Sequence, residues 1–352
     1  MLTKIKMNNV YSIKECEIDF TKAKYGYKKD MIVNTKYVNP LAIYGYNGSG
    51  KSSLINGLGY IVSIMNVGES TKLSPNLFLE KKALRKEADY PYLISSIELE
   101  FLVGNNFYSY LILLEDGDIF KEELYLNSKR LLERNRSFYT TYLNYVLTAE
   151  VKNIEKSILL ELKDEFSEAY DFLSNMIYIA DHRTNSISRI LLDKDIYHLF
   201  TKYSKEVKEI LERIPHTFSY EINKRNNEYF VNYGDDNYLP ISYLSNGMFN
   251  ISLIISLILA APENGVMIID EIERGLHPFI LEEILRLANE KKIQLIFTSQ
   301  NTHLMSLLRP DQIYFAGFND LETTFSRLSN LEGNIREVNN IEKMYLSYQF
   351  EK

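Results

Sequence analysis

Residues 45–53 read GYNGSGKSS. They follow the apolar run Leu41-Ala42-Ile43-Tyr44 and lead into Leu54-Ile55-Asn56-Gly57-Leu58. The stretch fits G-x-x-x-x-G-K-[ST], with a strand-like segment before it and a helix-like segment after it. Gly45, Gly48 and Gly50 let the backbone fold into a concave nest whose N–H groups point at phosphate oxygens, and the next helix adds the partial positive charge of its N-terminus. Lys51 can then reach the β- and γ-phosphates of a nucleotide, and the Ser52 hydroxyl can ligate Mg²⁺. Asn47, Gly48, Ser49, Gly50 and Ser53 complete the set of candidate nucleotide contacts. A glycine turn in an ordinary βα unit is the alternative, and the flanking elements argue against it.

Upstream, residues 1–20 alternate as two short strands, a hairpin, and the polar, Lys-rich residues 21–36 read as a loop. Downstream, a helix over about residues 51–65 is ended by the Gly/Ser/Pro-containing residues 67–76. Residues 92–126 have the β-branched, aromatic alternation of an antiparallel meander, with a turn at Asp116-Gly117-Asp118. After Asn127 the pattern changes. Residues 154–173 and 188–214 have helical apolar spacing, with a short strand and loop, MIYIADHRTNS, between them. The basic segment NSKRLLERNR (127–136) reads as a solvated turn and helix start, with a nucleic-acid or partner contact as the alternative. Strand-like alternation returns over 218–233. A long apolar helix runs from LSNGM (244–248) to Ala261, and βαβ order follows through VMIIDEIERGLHP (266–278), a helix and IQLIFTSQ (293–300). Residues 312–315 read as a strand, and the amphipathic tail beyond them has no assignment.

The run Val266 to Ile269 is apolar and ends in Asp270-Glu271, the pattern of a parallel strand buried on both faces that delivers acids at its carboxyl end. Asp270 would hold Mg²⁺ through its water shell, and Glu271 would sit beside the attacking water as general base. Lys51 and Asp270 are about 220 residues apart, too far for a compact P-loop core without a large insertion. Ser245 and Gly247 stand at a second helix N-terminus. Taken alone this is an N-cap, but its place about 25 residues before the acidic strand is that of an ABC-type signature motif.

With 352 residues, the chain has room for one large α/β domain with an insertion or for two domains. A formal charge of −7 gives no general attraction for nucleic acid. The single cysteine, Cys16, excludes an internal disulfide and suits a reducing cytosol. The N-terminus is too charged for a signal-peptide core, and the longest apolar run, near residues 251–261, is too short for a bilayer. A cytoplasmic protein with no membrane contact is expected. The five histidines do not approach metal-ligand spacing with the lone cysteine.

The chain resembles the ABC-type ATPases of the SMC/RecF/OLD-like group, and looks most like the small prokaryotic AAA family ATPases of abortive-infection and other antiphage systems. The likeness rests on the opening IKMNNVYSIKECEIDF, the P-loop, the meander followed by LLERN, LSNGM, DEIERGLHP, IFTSQNTH and the closing NNIEKMYLSYQF. It implies an α/β ABC-type head with an N-terminal antiparallel β subdomain. Residues 1–126 and 216–352 would form the discontinuous ATPase domain, and 127–215 an inserted, mostly helical lobe. It further implies that Lys51 and Ser52 bind ATP and Mg²⁺, Asp270 is the Walker B acid and Glu271 the base. Ser245 and Gly247 would contact the nucleotide of a second copy in a homodimer closed by ATP. His277 would lie near that interface, or simply start a helix. A nuclease or toxin effector from the same operon is the expected protein partner, with nucleic acid as a further candidate. Two departures stand out. Gln300 occupies the place of a switch histidine, with His303 three residues later, and the chain has no glutamine before Gln294. Gln300 can orient water but cannot carry an imidazolium charge, so slow turnover is expected. Two competing readings remain, an ATP-bound scaffold with little hydrolysis and a RecF-like DNA-repair ATPase.

Overall fold

The computed structural model describes residues 1–23, 36–67, 94–115, 118–143, 145–181, 185–187, 196–215, 217–234, 237–331 and 340–347. In chain order the first elements are β1 (Leu2–Val10), β2 (Ile13–Asp19), β3 (Leu41–Tyr44) and helix α1 (Lys51–Asn66). A run of six strands follows: β4 (Ile94–Val103), β5 (Asn106–Glu115), β6 (Asp118–Leu126), β7 (Lys129–Arg134), β8 (Phe138–Tyr142) and β9 (Val146–Glu150). Then come α2 (Ile158–Glu161), α3 (Ser167–Ser174), β10 (Ile177–Asp181), β11 (Asn185–Ile187), α4 (Ile196–Lys202) and α5 (Ser204–Glu212). The last part holds β12 (Glu221–Arg225), β13 (Glu228–Asn232), β14 (Tyr238–Pro240), α6 (Asn246–Ala260), β15 (Val266–Ile269) and α7 (Pro278–Glu290). It closes with β16 (Gln294–Thr298), β17 (Ile313–Asn319), β18 (Glu322–Arg327) and α8 (Ile341–Leu346).

Fifteen strands form one sheet in the order β11-β10-β15-β16-β3-β17-β18-β2-β1-β4-β5-β6-β7-β8-β9, and β12-β13-β14 form a second, three-stranded sheet. The pairs β10–β15, β15–β16, β16–β3 and β3–β17 are parallel. From β2 through β9 every pairing is antiparallel. The parallel strands are buried on both faces because helices cover both. Ile43, Ile268 and Ile296 point into one core with Leu54 and Ile55 of α1, while Ala42, Met267, Leu295 and Phe297 point into a second core with Leu253 of α6 and Leu281 of α7. Such strands read as continuous apolar runs, and β15 has no exposed position at all.

The expected hairpin and meander are present, as is the βαβ order after Gly265. Helical structure occurs where the spacing predicted it, in α2, α3, α4 and α5. The expected helix start near NSKRLLERNR is corrected: residues 129–134 form strand β7, which pairs with β6 and β8. The expected solvated turn is present at Asn127-Ser128, while two of the segment's arginines are tied to acids. Arg134 is fully buried and paired with the buried Glu122, and Arg130 pairs with Glu123 and Glu133. Two other features depart from a mostly helical 127–215 lobe: β7 to β9 extend the large sheet, and β10 joins the parallel core beside β15. Several expectations lie outside the described residues, namely most of the 21–36 loop, the end of the α1 region beyond Val67, the turn at Asp116-Gly117, and residues 188–195 of the expected second helix.

Candidate functional site

Three neighbouring parallel strands end on one edge of the sheet. The loop 45–50 leaves β3, Asp270 and Glu271 leave β15, and Ser299 and Gln300 leave β16 between them. Function at the carboxyl ends of parallel strands is the general expectation for an open α/β sheet. A cleft of roughly 340 Å³ lies there, lined by Asn47, Gly48, Ser49, Gly50, Lys51, Ser52 and Ser53 together with Glu271, Gln300, Ser12 and Phe318. Residues about 250 positions apart in sequence are thus brought to one cavity.

The loop has the backbone the motif requires. Gly48 and Gly50 have φ of 78° and 88°, and a Cβ at Gly50 would stand 1.8 Å from Thr323 Oγ1. Glycine is the residue that takes this conformation without a steric penalty. Lys51 is buried, and its ammonium donates to the carbonyls of Gly45 at 2.7 Å and Tyr46 at 3.0 Å. Burial pulls its pKa below the ordinary lysine value, while the negative charges of Asp270, Glu271 and Glu273 oppose the shift. Ser49 Oγ is buried and has no hydrogen-bond partner among the described residues, an orphan that a phosphate oxygen in the cleft would satisfy.

Thr298, at the end of β16, ties the acids together. Its hydroxyl donates to Asp270 Oδ1 at 2.5 Å and accepts from the Glu271 N–H at 2.7 Å. Glu271 has φ of 50°, a left-handed conformation that costs energy for a residue with a side chain and that this hydrogen bond helps to hold. Gln300 is exposed in the cleft, and its N–H donates to Glu273 Oε1 at 2.6 Å. His303 points elsewhere: its Nε2 lies 2.8 Å from Glu282 Oε1 on α7. His277 is the N-cap of α7, with Nδ1 accepting from the Phe279 N–H, so it starts a helix.

Ser245 and Gly247 do not line the cleft. Ser245 is the exposed N-cap of α6, its hydroxyl accepting from the Met248 N–H at 3.3 Å. Gly247 packs against the loop after the acidic strand, where a Cβ would stand 2.6 Å from the Gly275 carbonyl oxygen. Sequence reasoning missed Ser12, Thr298 and Phe318. Ser12 Oγ lies 2.7 Å from Ser53 Oγ and 2.6 Å from Thr323 Oγ1, a cluster built from three distant segments with no local pattern to announce it.

The donor set near the loop suits Mg²⁺. Ser52 and Asp270 offer hard oxygens, and among the described residues no group of three or more His, Cys, Asp or Glu forms a metal cage. A cation held by one hydroxyl, one carboxylate and substrate phosphates fits that sparse set.

The family described as "AAA domain, putative AbiEii toxin, Type IV TA system" matches residues 41–306. The chain belongs to this AAA-domain family. Among solved structures, the AAA-domain chain is similar to an SMC head bound to the C-winged helix domain of ScpA, with 15% identity, 93% of this chain and 98% of that chain covered, and a TM-score of 0.54. It is also similar to the Smc head with an extended coiled coil bound to the C-terminal domain of ScpA from Pyrococcus furiosus, with 14% identity, coverage of 100% and 99%, and a TM-score of 0.50. At such identities the likeness is one of fold. A search of curated proteins gave no match. The AAA domain is therefore an ABC-type ATPase fold of the SMC-head kind, as the motifs predicted. No helix among the described residues is long and apolar enough to cross a membrane.

Proposed function

We propose that this AAA-domain protein binds ATP with Mg²⁺ and hydrolyses it slowly. In this reading two copies close head to tail around two nucleotides, and the cycle controls a nuclease or toxin effector in antiphage defence. The observation that carries the reading is the composition of the cleft. It unites residues 47–53 with Glu271 and Gln300, while Ser245 and Gly247, the other half of an ABC-type site, stand apart from it. A second copy would supply the missing half.

Within that site Lys51 exchanges its two loop carbonyls for phosphate oxygens, and the loop N–H groups hold the β-phosphate. Ser52 and Asp270 would hold Mg²⁺, which neutralises charge developing on the transferred phosphoryl group. Glu271 orients and deprotonates water, and Gln300 steers that water without adding charge. Loss of the γ-phosphate removes the bridge between copies. The SMC heads compared above are bound to pieces of ScpA, and a protein partner is proposed here on that analogy. Residues 127–215 are the proposed recognition segment. Supporting this, the outermost hairpin exposes Phe138, Tyr145, Val146 and Leu147. Such a protein would act in the cytoplasm.

Phosphate release by the native protein and by Glu271→Gln tests the hydrolysis. The substitution is expected to cut turnover by about 100-fold or more while leaving ATP binding intact. Native ATP binding with no turnover to lose would favour the scaffold reading, which Gln300 makes physically reasonable. The RecF-like reading is less favoured, because the basic 127–136 segment has Arg130 and Arg134 paired with acids. DNA affinity that falls steeply with salt would reinstate it.

A further inference from the structure

The closing motif NNIEKMYLSYQF has no part in the chemistry described so far, yet α8, which it contains, lies against the nucleotide site. Tyr345 stacks on Tyr46 of the phosphate loop, ring centroids 6.0 Å apart at 19°, and on Phe315 of β17, 5.2 Å apart at 8°. Ile341, one turn earlier, is buried in the core beneath the parallel strands. Glu342 Oε1 accepts from the Thr302 hydroxyl at 2.7 Å, and Thr302 opens the short helix Thr302–Ser306 that begins two residues after Gln300. One six-residue helix therefore touches both the loop that holds Lys51 and the segment that carries Gln300.

The contact with Tyr46 bears directly on the loop's shape. The Tyr46 carbonyl is one of the two acceptors that hold Lys51, so the tilt of this peptide sets where the ammonium rests and how the nest opens to a phosphate. The Tyr46 side chain is 48% exposed, and the described contacts that fix it include the stack on Tyr345. A loop held this way meets its ligand already shaped, and less ordering entropy opposes binding.

We propose that α8 is a clamp on the nucleotide site, with Tyr345 as a positioning residue that holds the phosphate loop in its binding conformation. The proposal rests on the nucleotide reading above. By linkage the effect is reciprocal: ATP tightens α8 as α8 tightens the loop.

ATP affinity of the full chain, measured by calorimetry well below the melting temperature, tests the clamp. Tyr345→Ala should raise the Kd by about fivefold or more, and Tyr345→Phe, which keeps the ring, should restore it. Once Tyr46→Ala is present, adding Tyr345→Ala should cost little more, because both remove the same stack. In the native protein ATP should slow hydrogen exchange of the amides of residues 343–347, a readout that does not depend on any variant folding. A Kd within twofold of native in Tyr345→Ala, or single-variant factors that multiply in the double variant, or exchange in α8 indifferent to ATP, would each overturn the clamp while leaving nucleotide binding standing. A native protein that binds no ATP would instead bring down the nucleotide reading and the clamp with it.

Discussion

Lys51 carries its charge on a largely buried side chain at the edge of the cleft. Burial lowers its pKa, and the carboxylates of Asp270, Glu271 and Glu273 keep the ammonium from giving up its proton more readily still. Bound phosphates favour the charged form, so the pKa rises on binding. ATP affinity is then full where Lys51 is already protonated and declines as pH climbs through the free protein's lowered pKa, below the ordinary 10.5. Titrating the Kd from pH 7 upward checks this, and a profile that stays flat until the ordinary 10.5 contradicts it. Thr298 is the second residue on which the site turns. Thr298→Val keeps the shape but leaves the Glu271 N–H and Asp270 Oδ1 without their shared hydroxyl. A stability loss of about 1–3 kcal/mol in urea denaturation is expected, with kcat falling more than ATP affinity.

At the scale of elements, the antiparallel arm is locked to the following helices by one buried carboxylate. Glu122 Oε1 accepts from Tyr110, Ser157 and the N–H of Leu159, and Oε2 accepts from the N–H of Ile158, at the start of α2. Arg134 pairs with it and donates onward to the carbonyls of Ile154 and Lys156. Both side chains are fully buried. Removing one partner strands the other, so Glu122→Ala should lower unfolding stability by about 3–5 kcal/mol, measured by chemical denaturation. An unchanged midpoint would mean that the pair does not join β6 to α2. The same node takes up one arginine of the basic-looking 127–136 stretch.

For the whole molecule, the proposed dimer has one central consequence: each copy would hold only part of the site. The cleft holds the phosphate loop and Glu271, and the exposed N-cap Ser245 lies outside it. On the Glu271→Gln background, ATP is expected to shift the molecular mass seen by light scattering from monomer to dimer. Adding Ser245→Arg should leave the chain monomeric while each copy still binds ATP, at a cost of about 1 kcal/mol for the lost cap. Dimers that persist in that variant would place the contact elsewhere.

Residues 45–53 and 266–271 were legible because their signals are local: a glycine pattern dictates a nest, and an unbroken apolar run dictates a strand covered on both sides. Ser245 was legible as a helix start for the same reason. Residues 129–134 were not, because Leu131 and Leu132 are consecutive and the ladder from β6 to β7 shifts register between Leu124 and Tyr125, so no two-residue alternation survives. Ser12, Thr298, Phe318 and Tyr345 were silent for another reason. Nothing adjacent in sequence marks a hydroxyl or a ring whose partners lie far along the chain. The sequence by itself determined the glycine-rich loop, the apolar parallel strands and the helices that flank them, since backbone preference and burial pattern act over a few residues. Only the tertiary structure decided which distant side chains share the cleft and how the last helix reaches it, since those contacts exist only once the sheet has brought its edges together.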